Sequence, residues 1–162
     1  MLFVAACDSN VVTSTVPATA ANSEALGAAT NQPANTAVNL KLNLNTASGD
    51  DFLAAIPGMG NRMVREFMEY RPYVSIQQFR REIGKYVDAA QVAEYEKYVF
   101  VPVDVNQADA ETLKQLPGVD DAIAADLIAG RSYGSNDDFL SKLTVHLSAA
   151  ELATAGNYLA TP

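Results

Sequence analysis

The chain has 162 residues, a formal net charge of −8, a pI near 4.5 and 49% hydrophobic residues. That length suits one domain or two small ones, and the apolar share is enough for a packed core. The acidity argues against a generic nucleic-acid binder and against charge-driven attachment to anionic membranes, and no apolar run reaches the roughly 18 residues of a transmembrane helix.

At the N-terminus the single cysteine, Cys7, closes the run Leu2-Phe3-Val4-Ala5-Ala6-Cys7. A short apolar stretch, two small residues and a cysteine resemble the lipobox of bacterial lipoproteins. The resemblance implies a protein exported to the bacterial cell envelope and lipid-anchored at Cys7 on its periplasmic or extracytoplasmic face, with no other membrane contact. Residues 1–7 then read as a truncated signal segment. Six residues are short for a signal peptide and no basic region precedes them, which places the natural start upstream or marks a trimmed sequence. An ordinary cysteine at a frayed terminus is the alternative. A lone cysteine offers no internal disulfide. Residues 8–42 read as a disordered linker. Up to residue 37 they are rich in Ala, Thr, Asn, Ser and Val, broken by Pro17, Gly27 and Pro33 and almost free of charge. Such a segment buries too little surface to offset its chain entropy. About 30 flexible residues span on the order of 30 Å.

Beyond the linker the chain matches itself at a shift of 60 positions. Ile56-Pro57-Gly58-Met59-Gly60 falls on Leu116-Pro117-Gly118-Val119-Asp120. Arg71, Tyr73, Ser75 and Phe79 fall on Arg131, Tyr133, Ser135 and Phe139, Ala89-Ala90 on Ala149-Ala150, and Tyr98 on Tyr158. One extra residue near Gly49 shifts the upstream match, so that Asn45-Thr46-Ala47 aligns with Asn106-Gln107-Ala108. This is an internal duplication, with copies at 43–102 and 103–162. The first carries seven basic and eight acidic side chains, the second three and nine. Any anion-binding role therefore falls on the first.

Each copy reads as four short helices. Ser48 and Asp51 form a capping-box-like start, and Asp109 caps the equivalent helix of the second copy. In the first helix Phe52, Leu53 and Ile56 share a face, and Pro57-Gly58 ends it. A second helix runs from about Asn61 to Tyr70, with Met63, Val64, Phe67 and Met68 inward at helical spacing, and Pro72 stops it. A third covers about Ser75 to Ile83. A fourth covers about Asp88 to Val99, burying Val92, Tyr95 and Val99. No run alternates as a strand. The expectation is an all-α chain of about eight helices, in two small globules or one fused one. Asp50-Asp51 and Asp137-Asp138 read as helix starts, and Tyr70, Tyr73, Tyr98 and Tyr158 as core-edge aromatics.

The connection Ile56-Pro57-Gly58-Met59-Gly60 carries the chemistry. Its glycines suit a tight turn and close approach of another group. The unpaired N–H groups that open the second helix, with the helix dipole, make an anion site for which phosphate is the natural occupant. Together with Asn45-Thr46-Ala47-Ser48 and the helix ending in Tyr70-Arg71-Pro72-Tyr73, this segment resembles the helix-hairpin-helix domain of ComEA-type competence DNA receptors. Those are envelope-anchored proteins that bind double-stranded DNA without sequence preference. The resemblance implies tandem helix-hairpin-helix units of the SAM-like type. It implies a DNA-binding set of Gly58, Met59, Gly60 and Asn61 in the hairpin, supported by Arg62, Arg65, Arg80, Arg81 and Lys85. Two departures stand out: Met63 replaces a frequent family lysine, and the second copy has Asp120-Asp121 where a phosphate would sit. A second hairpin within each copy is reduced to Ile83-Gly84 and Leu143-Thr144.

Two readings follow. In the first the chain is a tethered, non-catalytic module that captures duplex DNA through phosphate contacts. In the alternative it is a protein-interaction or scaffold module whose partner is another envelope protein, like the similar domain in an extrinsic lumenal subunit of the photosynthetic oxygen-evolving complex; the arginines are then solvated helix charges paired with Glu66, Glu69 and Glu82. His146 stands alone, without a metal-ligand pattern. No nucleophile–base pair, zinc motif or phosphate-binding P-loop occurs, so neither an enzyme nor a cofactor is expected.

Overall fold

The computed structural model describes residues 40–161; Cys7 with its lipobox-like segment and the linker up to residue 39 lie outside the described residues. The first copy comprises β1 (Leu42–Asn43), α1 (Gly49–Ala55), α2 (Asn61–Glu69), α3 (Ile76–Ile83), α4 (Ala89–Tyr95) and β2 (Val99–Phe100). The second comprises α5 (Ala110–Leu113), α6 (Asp121–Ala129), α7 (Asn136–Leu143) and α8 (Ala149–Gly156). Among the described residues the chain is all-α apart from the two short strands.

Side-chain caps set most helix starts. Ser48 and Asp51 form a full capping box on α1, as do Ser148 and Glu151 on α8, while Ser75, Asp88, Asp109 and Ser135 each accept the amide three residues on. The hydrogen bonds within each box hold the Asp51 and Glu151 carboxyls below their ordinary ionisation range.

Three sequence expectations change. The fourth helix stops at Tyr95, because Lys97 and Tyr98 donate to the carbonyls three residues back and tighten the chain into a turn. Val99 is buried, but in β2 rather than in a helix. There β2 pairs in parallel with β1, Leu42 opposite Val99 and Asn43 opposite Phe100. The fold therefore begins before residue 43, inside the segment read as linker, with Leu42 packed on the first core. In the second copy the closure is a single parallel bridge, Val103 to Leu159. Met68 and Leu53 point outward, at 44% and 38% exposure. Each sits at the margin of a stripe whose centre is taken by Val64 and Phe67, or by Phe52 and Ile56.

The residues shared by both copies are chiefly architectural. The Asn45 side chain donates to the Tyr73 carbonyl and accepts its N–H, both at 2.8 Å, and Asn106 treats Tyr133 in the same way. Arg71 donates to the Ala47 carbonyl and lies over the Phe52 ring; Arg131 donates to the carbonyls of Val105 and Ala108. These side chains pin the strand-to-helix turn to the chain that leaves the second helix. Each copy has its own core. The first is aromatic, with Phe67 edge-on to Phe52, Phe79 and Tyr95. The second is more aliphatic, around Leu113, Leu116, Leu127, Phe139 and Leu143.

The junction between copies is built of specific bonds. Val99 and Val101 enter the first core, whereas Phe100 enters the second and packs on Tyr158 at 4.4 Å. The Gln115 amide pairs with both backbone groups of Val101. The Ile76 N–H, at the start of α3, donates to Thr112 Oγ1 on α5 at 2.9 Å, and Thr112 is fully buried. Replacing this threonine by valine keeps its shape but orphans a buried donor, at a cost of about 1–3 kcal/mol. Thr112→Val is expected to lower the urea midpoint while Thr112→Ser keeps most of it; equal midpoints for Thr112→Val and wild type would count against the bond.

Candidate nucleic-acid interface

The α1–α2 and α5–α6 connections share one backbone. Gly58 and Gly118 both adopt a positive φ, 73° and 75°, in a region that favours glycine. Met59 and Val119 tuck into their respective cores. Gly60 and Asp120 are then extended N-caps of α2 and α6. The turn is thus the same device built twice, and the side chains around it decide what it can bind.

Those side chains differ at every point. Asp120 caps its own helix, accepting the Ile123 N–H at 2.9 Å, whereas Gly60 offers α2 no side-chain cap. Asp121 opens α6; Asn61 opens α2, whose first turn holds no acidic residue. A Cβ added at Gly118 would meet Leu147 at 2.7 Å and the Glu151 carboxylate at 3.1 Å, while one added at Gly58 would meet nothing within 4 Å. The counterpart of Glu151 in the first copy is the neutral Gln91. The second hairpin is therefore covered and ringed by Asp120, Asp121 and Glu151. The first is open, with Gly60, Asn61 and Gln91 at the same three places. Its orphan N–H groups and the positive end of the α2 dipole favour an anion.

No protein-family model matches this chain, and neither does any curated protein or solved structure. The site is thus defined by its own geometry.

The five basic residues grouped by the sequence reading do not act together. Arg62 and Arg65 are exposed on α2 and pair with no carboxylate among the described residues. Arg80 belongs to the junction: it chelates Glu96 at 2.7 and 2.9 Å and reaches Glu111 at 2.9 Å. The bonds from Glu96, then Glu111, hold its guanidinium still more firmly protonated than usual. Lys114 extends the network from Glu111 to Asp121. Arg81 and Lys85 share the carboxylate of Glu82, whose ionisation the Lys85 bond, then the Arg81 bond, draws downward. Solvent screens exposed pairs of this kind so that they contribute little, and Arg81 and Lys85 remain available to a stronger anion. Arg80, held by two carboxylates, does not.

The connections before α4 and α8 do not mirror the first hairpin. Gly84 and Thr144 are both right-handed C-caps, without the positive φ of Gly58, although a Cβ at Gly84 would meet the Arg80 carbonyl oxygen at 2.6 Å; Asp88 and Ser148 cap the following helices. The Gln91–Glu151 contrast was legible in the 60-residue alignment, as was Gly60–Asp120, but its relevance needed the fold to bring position 151 over position 118. His146 meets Asp126 at 3.5 Å. No group of three or more metal-ligating side chains occurs among the described residues.

Proposed function

We propose that the first copy binds the phosphate backbone of duplex DNA without reading its sequence, in the manner of the ComEA-type receptors that the hairpin resembles, and that the chain holds this module on the bacterial envelope through a lipid at Cys7. The observation that carries the reading is the internal comparison. One backbone turn occurs twice; the copy with unpaired Arg62 and Arg65 leaves its helix N-terminus uncapped and uncovered, and the copy with three carboxylates closes it. A phosphate at Gly58–Gly60 would accept backbone N–H bonds, with Arg62 and Arg65 adding charge-assisted contacts. Such contacts position a protein on DNA and carry no base information.

The scaffold reading rests on the other copy, whose hairpin is occupied by its own acidic side chains and whose net charge repels nucleic acid. The two separate cleanly. When the full chain is titrated with a short duplex of arbitrary sequence over a range of salt, contacts to about four phosphates predict a log–log slope near −3.6. Such a slope, the same for unrelated sequences, supports the DNA reading. Absence of binding at roughly 20 mM salt, where screening is weak, discards it in favour of a protein partner.

A further inference from the structure

The first copy carries a second feature, at the other end of α2 from its hairpin, that the hairpin reading leaves unexplained. Tyr70 follows α2 and Tyr86 lies in the α3–α4 connection; their hydroxyls meet at 2.8 Å and their rings at 6.4 Å, tilted by 48°. The Lys85 ammonium sits 5.1 Å over the Tyr70 ring. Tyr70 packs on the core, but Tyr86 keeps 37% of its surface exposed. The Tyr70 hydroxyl, then the Glu66 carboxylate, push the ionisation of Tyr86 above its ordinary range, so the ring stays neutral. Glu66 is one helical turn from Arg62, about 6 Å along α2, so the tyrosines adjoin the arginine-bearing stretch of α2, with Tyr70 closing the end of the helix opposite the hairpin.

The second copy again provides the contrast. Positions 70, 85 and 86 become Gly130, Val145 and His146. The acid-to-loop contact survives, as Asp126 to His146 at 3.5 Å, but the tyrosine pair and its cation are gone. The aromatic pair therefore accompanies the open hairpin and the unpaired arginines and is absent where they are absent. The stretch from Arg62 to Lys85 holds six basic side chains against Glu66, Glu69 and Glu82; with Arg71 held by the Ala47 carbonyl and Arg80 by Glu96 and Glu111, Arg62, Arg65, Arg81 and Lys85 still leave a positive balance in a chain of 11 basic and 19 acidic residues. Aromatic faces beside such a surface are how proteins hold unpaired bases, at about 1–3 kcal/mol for each stacked base.

We propose that Tyr86, braced by Tyr70 and Lys85, is a stacking platform for an unpaired nucleobase, so that the first copy takes single-stranded DNA or a frayed duplex end with its backbone on the Gly58–Gly60 hairpin. This rests on the phosphate-binding reading of that hairpin and names the form of DNA that it prefers. The test uses the full chain, which contains no tryptophan, with a short oligothymidylate and a short blunt duplex as probes, followed by tyrosine fluorescence. Wild type is expected to bind oligothymidylate with quenching of tyrosine emission. Tyr86→Leu should lose on the order of tenfold in oligothymidylate affinity and little for the duplex, while Tyr86→Phe, which keeps the ring, retains both. Far-UV circular dichroism establishes that the variants are folded. If Tyr86→Leu binds oligothymidylate as wild type does, the platform is wrong, while Gly60→Asp still tests the hairpin on the duplex. If Tyr86→Phe falls as far as Tyr86→Leu, the hydroxyl and not the ring matters, and stacking is overturned. If neither probe binds wild type, both proposals fall together.

Discussion

Gly60→Asp is expected to weaken duplex binding by one to two orders of magnitude, on the order of the charge-assisted bonds lost, while raising the melting temperature. The two effects have opposite signs because one side chain produces both. Gly60 has φ −110° and ψ 157°, extended backbone that any residue adopts, and a Cβ there meets nothing within 4 Å. Asp120 occupies the matching position and shows what aspartate does in this turn: it caps the helix through the amide three residues on. Capping relative to glycine adds a few tenths of a kcal/mol and a carboxylate at the dipole's positive end about 0.3–1 kcal/mol. For a fold of this size the sum is a rise of about 2–5 °C. The same carboxylate takes the N–H groups a phosphate needs and repels it. Losing charge-assisted bonds of about 1.5–3 kcal/mol lowers affinity ten- to a hundredfold, on the order of 1.4 kcal/mol per decade. Fluorescence anisotropy with a labelled duplex and a thermal melt measure the pair. Gly60→Ser separates the causes, since it caps without charge and should lose less affinity. Unchanged affinity in Gly60→Asp would remove the hairpin from the interface, whatever the melt shows.

How much of this was readable from the chain alone depends on the range of the interaction. Ser48 with Asp51, Asp109, and the Gly58 turn act over three or four residues, and each is where sequence placed it. The helix order follows from the same local signals. The strands did not show, because two residues are too few to display alternation, and Val99 at helical spacing from Val92 and Tyr95 mimicked one more turn of α4. Arg80 was misread for the opposite reason. It sits in a run of basic residues, and its partners Glu96 and Glu111 lie 16 and 31 positions away, beyond any helical pairing rule. Charge type was legible, but charge availability was not. Tyr86 is the same case: an unremarkable loop tyrosine until the fold sets its hydroxyl against that of Tyr70, at the rim of the first core. The comparison that carries most functional weight, Gly60, Asn61 and Gln91 against Asp120, Asp121 and Glu151, was written in the duplication. Only packing shows that the third pair belongs with the first two.

Phe67→Ala is expected to be the most destabilising single change in the first copy, at about 3–5 kcal/mol. Phe67 has no exposed surface and lies within 5.4 Å, centroid to centroid, of three rings, each edge-on. Removing it takes away the transfer energy of one aromatic side chain and leaves a void among Phe52, Phe79 and Tyr95, which come from three different helices. Rings held edge to face from three directions cannot all close on the gap at once, so little of the loss is recovered. The counterpart Leu127 is as well buried, yet it is smaller and lies in a core with fewer aromatic rings, which re-packs more easily. Leu127→Ala should therefore cost less, within about 2–5 kcal/mol. With a urea dependence of about 1–3 kcal/mol per molar, Phe67→Ala moves the midpoint down by about 2 M. The form of the transition matters as much as its position. Because Thr112, Gln115 and Arg80 bond one copy to the other, loss of the first core should take the second with it in one cooperative step. A small shift would mean that the aromatic cluster is not what holds the first copy together. Two resolved steps, the later one unaffected by the mutation, would mean that the junction does not couple the copies, and the hairpins would then be free to diverge in stability as well as in charge.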